Sequence, residues 1–251
     1  MTVIAHLSDT HIDNWPLSIA RTRAVVDYLN DLPYDLDAIV VTGDITDHGL
    51  PAEYELAREL FTCRHPVMFC PGNHDERDAF RRHLLGQAGS TAPINQVHQT
   101  AGAVIALCDS SVPGKDEGFL SDETLAWLED VLARTSAGVP VVVGFHHPPA
   151  RLHVPFIDSI RQFGAERLAA LAGRRRNLTA FLCGHAHTAA ATVFGERPLL
   201  VAPGVVSTLR LPWEQHASPH DHVHLDHLPA LAFHVLGDAG ELTTHFRHVH
   251  L

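Results

Sequence analysis

Apolar residues in this chain fall into short dense runs, and the strongest runs stop at residues that bind metals or phosphate. Val3–Leu7 stops at Ser8-Asp9, Ala38–Thr42 at Gly43-Asp44, and Val67–Cys70 at Pro71-Gly72-Asn73-His74. Val104–Cys108 stops at Asp109, Val139–Phe145 at His146-His147, and Leu178–Cys183 at Gly184-His185. Such runs predict buried strands. Helical spacing predicts helices over Arg21–Leu29, Ala52–Phe61 and Ile160–Leu171. A further helix carries Leu125, Leu128, Val131 and Leu132 behind an N-cap at Ser121. Beyond His187 the pattern changes to strands and turns: Ala189–Phe194, Leu199–Val201, Ala230–Leu236 and Leu242–Val249. Alternating strands and helices followed by strands predict an α/β protein of two packed sheets with helices outside. With no linker or repeat, one domain spanning 1–251 is expected. Residues 206–251 form its strand-rich C-terminal extension, serving either as a cap or as a contact between two copies in a dimer.

Composition narrows the function. The chain has 251 residues, 45% apolar and 19% charged, enough for one substantial core. Its formal charge of -11 argues against a stable complex with nucleic acid, which needs clustered Lys and Arg. A small anionic substrate stays open, because bound cations reverse the local field. No apolar run reaches the roughly 20 residues of a membrane span. The opening MTVIAHLSD lacks the basic region of a signal peptide. A cytoplasmic protein is expected, with Cys63, Cys70, Cys108 and Cys183 as buried free thiols.

The chemistry lies at five strand ends: Asp9-x-His11, Gly43-Asp44-x-x-Asp47, Gly72-Asn73-His74-Asp75, His146-His147 and Gly184-His185-x-His187. Ligands of α/β folds gather outside the carboxyl ends of strands. The five segments therefore converge on one pocket. In an extended segment the alternate spacing of Asp9/His11 and His185/His187 points both side chains the same way. Gly43, Gly72 and Gly184 permit turns and close approach. The donors are carboxylate, imidazole and amide, with no thiolate, which suits Mn, Fe, Co or Zn. There are more of them than one ion needs; two ions about 3.5–4 Å apart, sharing a carboxylate, would use the set.

These blocks resemble the signature of the calcineurin-like metallophosphoesterase superfamily: D-x-H, G-D-x-x-D, G-N-H-[DE], H and G-H-x-H, here complete from Asp9 to His187. The resemblance implies a four-layer α-β-β-α sandwich of two mixed sheets. It implies that Asp9, His11 and His187 bind one metal, that Asn73, His146 and His185 bind the second, and that Asp44 bridges them. Mn and Fe are preferred, with Zn or Co as alternatives, and a hydroxide between the ions is the implied nucleophile. His74 is then catalytic, stabilising phosphoryl oxygens or protonating the leaving group, with Asp75 orienting it. Asn73, His74, Arg77 and His147 are expected to bind substrate, and Phe80 to face the pocket.

A finer resemblance is to bacterial class III cyclic-nucleotide phosphodiesterases and related glycerophosphodiesterases. It rests on LSDTHI (Leu7–Ile12), PGNHDERDAFR (Pro71–Arg81), GFHHPP (Gly144–Pro149) and Asp158–Leu171, a stretch that in those enzymes helps form the substrate entrance. It implies hydrolysis of 3',5'-cyclic nucleotides such as cAMP, or of related small phosphodiesters. A phosphomonoesterase or nuclease is the alternative on the same fold, and the acidic charge weighs against a nuclease. A non-catalytic scaffold would lack ligands that are all present here. The 21 histidines exceed what the signature uses. His216, His220, His222, His224 and His227 form a histidine-rich stretch, read as a polar loop, a cap or a third metal site.

Overall fold

The structure, a computed structural model, describes residues 1–214, 222–238 and 240–251. The first third runs β1 (Thr2–Leu7), α1 (Pro16–Asn30), β2 (Ala38–Thr42), α2 (Pro51–Leu60) and β3 (Val67–Cys70). A short α3 (Arg77–Ala79) continues into a π-helical turn at Phe80–Leu84. Then follow β4 (Gln96–Gln99), β5 (Val104–Leu107), β6 (Gly118–Phe119), α4 (Asp122–Arg134), β7 (Val141–Gly144), α5 (Pro155–Ser159) and β8 (Gln162–Phe163). The remainder is α6 (Glu166–Arg174), β9 (Leu178–Cys183), β10 (Ala190–Phe194), β11 (Arg197–Val201), β12 (Thr208–Leu209), β13 (Val223–His224), β14 (Ala230–Leu236) and β15 (Leu242–His248).

Two mixed sheets carry the fold, ordered β15-β14-β1-β2-β3 and β10-β11-β9-β7-β5-β4. Ile4, Val40, Ile105, Leu107, Val142 and Leu182 fill the layer between them. Val25, Leu29, Tyr54 and Ala57 pack α1 and α2 on the outer face of the first sheet. Leu128, Leu132, Leu168 and Leu171 pack α4 and α6 on the second. This is the expected four-layer α-β-β-α sandwich. Both faces of the central strands are covered, which is why their sequences read as unbroken apolar runs. Ser121 caps α4 as expected, its hydroxyl accepting from the Thr124 amide at 3.1 Å.

One expectation is corrected. Ile160–Leu171 is not one helix: Gln162–Phe163 pairs with Gly118–Phe119, and Gly164 sits at φ +64 before α6 begins. The late strands join the body of the fold. β14 pairs antiparallel with β1, and β15 with β14, so both complete the first sheet. The apolar face of β1 needs a neighbour on each side, and β14 supplies the second.

Inside the sandwich lies a buried polar seam. His6 Nδ1 and His234 Nε2 are 3.0 Å apart, His6 Nε2 meets Thr42 Oγ1 at 2.8 Å, and His234 Nδ1 meets Thr244 Oγ1 at 2.9 Å. Burial pushes the His6 pKa well below the usual 6.5 and that of His234 down to about 3. The unfolded chain therefore takes up protons here that the folded protein refuses. Stability falls as pH drops below about 6.5, by about 1.4 kcal/mol per pH unit for each such histidine. His234→Gln is expected to flatten the pH dependence of urea unfolding between pH 6 and 4.5. An unchanged slope would remove this seam as a source of acid sensitivity.

Candidate metal centre

The carboxyl ends of β1, β2 and β3 in one sheet and of β7 and β9 in the other open at the same end of the sandwich, and the sheets are tied together there. The Thr42 carbonyl accepts from Ser8 Oγ at 3.0 Å and from His146 Nδ1 across the sandwich at 2.7 Å. The His185 amide donates to both oxygens of Asp9, at 3.2 and 3.1 Å. Past the strand ends the backbone turns left-handed. Of the seven described non-glycine residues with positive φ, five are expected ligands: Asp9, His11, Asp44, His185 and His187. The alternate pairs are therefore aimed by strained turns rather than by extended backbone. Such conformations persist where surroundings over-determine them, as at binding sites. Here the Asp9 amide donates to Gly43 O at 3.1 Å and the His11 amide to Asp44 O at 3.0 Å. A methyl group at Gly72 would overlap the Asp44 carboxylate, and one at Gly43 the His146 ring, which accounts for both glycines.

Two clusters result. Asp9, His11, Asp44 and His187 offer ligand atoms all within 4.8 Å of one another, and so do His146, His147 and His185. Asp44 lies between them, its Oδ2 3.6 Å from His11 Nε2 and 3.3 Å from His146 Nε2. The donor chemistry fits cations here. His11 Nδ1 is engaged by Asp47 at 2.9 Å and His187 Nδ1 by Ser207 at 2.7 Å, while their Nε2 atoms face each other at 3.2 Å. His146 donates from Nδ1 to Thr42, which leaves Nε2, 3.1 Å from His185 Nδ1, as the atom a cation would take in place of a proton. Asn73 Oδ1 and His185 Nε2 are buried with no hydrogen-bond partner. Buried lone pairs and carboxylates crowded together without Lys or Arg are costly unless cations join them.

The same crowding shifts the protein's own acid–base equilibria. Burial opposes charge on His146, but the neighbouring Asp44 and Asp9 outweigh it and raise the pKa to about 9. Burial opposes ionisation of Asp44, yet His146 and His11 hold it well below the ordinary carboxylate value. Burial dominates at His187, lowered to about 4, and at His147 and His185, both well below normal.

Around these clusters the expected roles divide. His74 lines the cleft, half-exposed, with its ring edge-on to His11 at 4.6 Å between centroids. Its Nδ1 donates to the Asp47 carbonyl at 2.8 Å, leaving Nε2 for a substrate oxygen. The His74 ring is thus bonded by the Asp47 backbone carbonyl rather than by the Asp75 side chain. Asp47 carries no role in the expected set, although its place in G-D-x-x-D marks it, and its carboxylate holds His11 Nδ1 at 2.9 Å. Asp75 instead fastens the loops: it accepts from the amides of Gly72, Ile45 and Thr46 and from the Tyr54 hydroxyl, at 2.9 to 3.3 Å. Arg77 turns away from the cleft. Its Nε lies 2.8 Å from the Asp109 carboxylate, an ion pair rather than an aligned hydrogen bond, and its Nη2 donates to Ser111 O at 2.8 Å. Phe80 is fully buried against Tyr54. His147 is also withdrawn, held by Ser110 Oγ at 2.9 Å and Asp116 O at 3.1 Å, so it supports the site from behind.

The centre floors a cleft of about 430 Å³. Of the expected entrance stretch only Ile160 lines it, joined by Phe156 and Ile157 just upstream; the rest passes to the outer layer. His216 and His220 lie outside the described residues. Among the described residues, every grouping of metal-type ligands belongs to this cleft, and none includes His222, His224 or His227.

The division between Asp47 and Asp75 is testable by two conservative variants. Asp75→Asn should lose about 1–3 kcal/mol of stability, since amide donors would face an NH2 group. Asp47→Asn leaves the backbone carbonyl on His74 but removes the charge from the side chain that holds His11 Nδ1, so it should keep its melting temperature while metal affinity and activity fall. If Asp75→Asn melts like the parent, Asp75 is not the fastener.

The profile of calcineurin-like phosphoesterases matches residues 2–189. A glycerophosphodiester phosphodiesterase, GpdQ, from Enterobacter lignolyticus is 35% identical over 217 residues, covering 81% of this chain and 77% of its own. A cAMP/cGMP dual specificity phosphodiesterase from Mycobacterium tuberculosis is 32% identical over 221 residues, covering 82% and 68%. Among solved structures, a dimetal phosphatase from Danio rerio superposes with a TM-score of 0.71 over 98% of this chain and 96% of its own. At 14% identity it speaks for the fold alone.

Proposed function

The chain belongs to the calcineurin-like phosphoesterase family, and within it we propose a dinuclear-metal-dependent phosphodiesterase that hydrolyses 3',5'-cyclic nucleotides such as cAMP or related small phosphodiesters. The observation that carries this reading is the position of the buried Asp44 carboxylate between His11 of one cluster and His146 of the other. Asp9, His11 and His187 would hold one ion and Asn73, His146 and His185 the other, with Asp44 available to both. The hard oxygen donors favour Mn and Fe, with Zn and Co as substitutes. Bound there, two such ions supply Lewis-acid polarisation of the phosphoryl group and an activated water.

The chain's own residues do the rest. Asp47 accepts hydrogen bonds from both Nδ1 atoms, that of His11 on its carboxylate and that of His74 on its backbone carbonyl, which orients both rings: His11 toward the shared carboxylate and His74 toward the cleft. His74 lines the cleft and is 40% exposed, which suits a group that meets substrate. Its Nε2 is placed to donate to a phosphoryl oxygen or to the departing alkoxide. The relatives' activities, on glycerophosphodiesters and on cyclic nucleotides, support a diester substrate. No helix among the described residues is long and apolar enough to cross a membrane; a cytoplasmic site of action, and a homodimer, belong to the same proposal.

Metal-reconstituted protein is expected to hydrolyse at least one of 3',5'-cAMP, 2',3'-cAMP and glycerophosphodiesters. His74→Ala should lower kcat by about 10²–10⁴ while retaining its metals. Failure of the Mn-loaded protein on every diester would sink the reading.

A further inference from the structure

The cleft has two unlike walls. One is the metal centre with His74. The other is apolar: Trp15 before α1, Phe156 and Ile160 around α5, Leu209 on β12, Val223 on β13, and Leu225. These come from four separate stretches of chain, and the structure fixes them together. Arg21, reaching up from α1, donates to Val206 O at 2.9 Å and also to Leu225 O, which draws the β12–β13 ladder over the cleft. His222 stacks on Phe156 with planes 5° apart and centroids 5.5 Å apart. Phe156 nonetheless remains 48% exposed and Trp15 42%. Two large rings beside a polar centre, each partly in water, present apolar area that a ligand in the cleft would cover.

Charge adds a second constraint. No Lys or Arg lines the cleft among the described residues, and residues 215–221 contain none in sequence. The charges at the rim are the carboxylates Asp13 and Asp116. A second anionic group on a substrate would find no cation and two acids.

We infer that this wall is a subsite for the organic group beyond the reacting phosphate of a monoanionic diester, the free ester arm of an open diester or the base of a cyclic nucleotide, and that it selects an uncharged, apolar group, best an aromatic one. Phe156, Trp15 and Ile160 are then specificity determinants. The inference rests on the proposed function, which it deepens by naming the kind of group that is taken.

The test is calorimetric binding to the Mn-loaded protein of three methylphosphonate monoesters, each with a single arm: phenyl, methyl and 2-carboxyethyl. The phenyl ester is expected to bind roughly tenfold more tightly than the methyl ester, the advantage of burying one ring against apolar surface. The carboxyethyl ester, with its second charge, should bind more weakly than the methyl ester. Phe156→Ala should erase most of the phenyl advantage, and Ile160→Ala part of it; Phe156 is 48% exposed, Ile160 is partly exposed, and neither belongs to a core cluster, so the fold tolerates their loss. Equal affinities for phenyl and methyl, an undiminished phenyl advantage in both variants, or tightest binding of the carboxyethyl ester each overturn the subsite. So does failure of all three to bind. Diester hydrolysis by the same preparation would then show that the proposed function survives without it.

Discussion

One carboxylate that cannot reach water determines the design of the site end of this molecule. Asp44 sits where the two sheets meet, with imidazoles of His11 and His146 converging on it from opposite sides. Burying a carboxylate costs several kcal/mol unless positive charge and hydrogen bonds join it. The surroundings answer in three ways. The His74 amide donates to Oδ1 at 3.0 Å. Gly72 keeps its backbone clear of the carboxylate. The Thr42 carbonyl turns His146 so that Nε2, not Nδ1, faces the acid. Each sheet contributes ligands, so the centre holds the sheets together as much as the sheets build the centre.

The backbone is strained for the same reason. Ligands on five loops must point into a volume a few ångströms wide, and continued strands would carry them past it. Left-handed turns at Asp9, His11, Asp44, His185 and His187 bend them inward. Such turns are unfavourable for residues with a Cβ, though Asp and His accept them better than most. Cross-strand bonds between the Asp9 and Asp44 loops hold them in place. A site arranged in advance in this way needs little rearrangement when its cations and substrate arrive.

Much of this was legible in the sequence because strand cores and ligand motifs leave direct marks. Ala38–Thr42, Val67–Cys70, Leu178–Cys183 and Ala230–Leu236 occupy the predicted positions, since strands covered on both faces must be apolar throughout. The polar edge strand Gln96–Gln99 left no such mark, with alternate residues half-buried. Ile160–Leu171 has helical spacing, yet Gly164 and the pairing of Gln162 with Gly118 break it, a tertiary constraint that periodicity does not register. Side-chain direction was the least legible. Asp75 and Arg77 flank the motif residues and look functional. Their partners, three loop amides and Asp109, are brought close only by the fold. Asp47 carried its signal in the motif spacing, but its service to two imidazoles at once is a matter of geometry.

The central claim is that Asp44 joins two metal sites into one, and electron paramagnetic resonance of the Mn(II)-loaded protein reads this directly. Two ions sharing a carboxylate about 3.5–4 Å apart are exchange-coupled. Titration to two equivalents should therefore replace the isolated six-line Mn(II) spectrum with that of a coupled pair, and Asp44→Asn should abolish the coupling. Binding of a single equivalent, or two equivalents giving only uncoupled six-line spectra, would contradict the account.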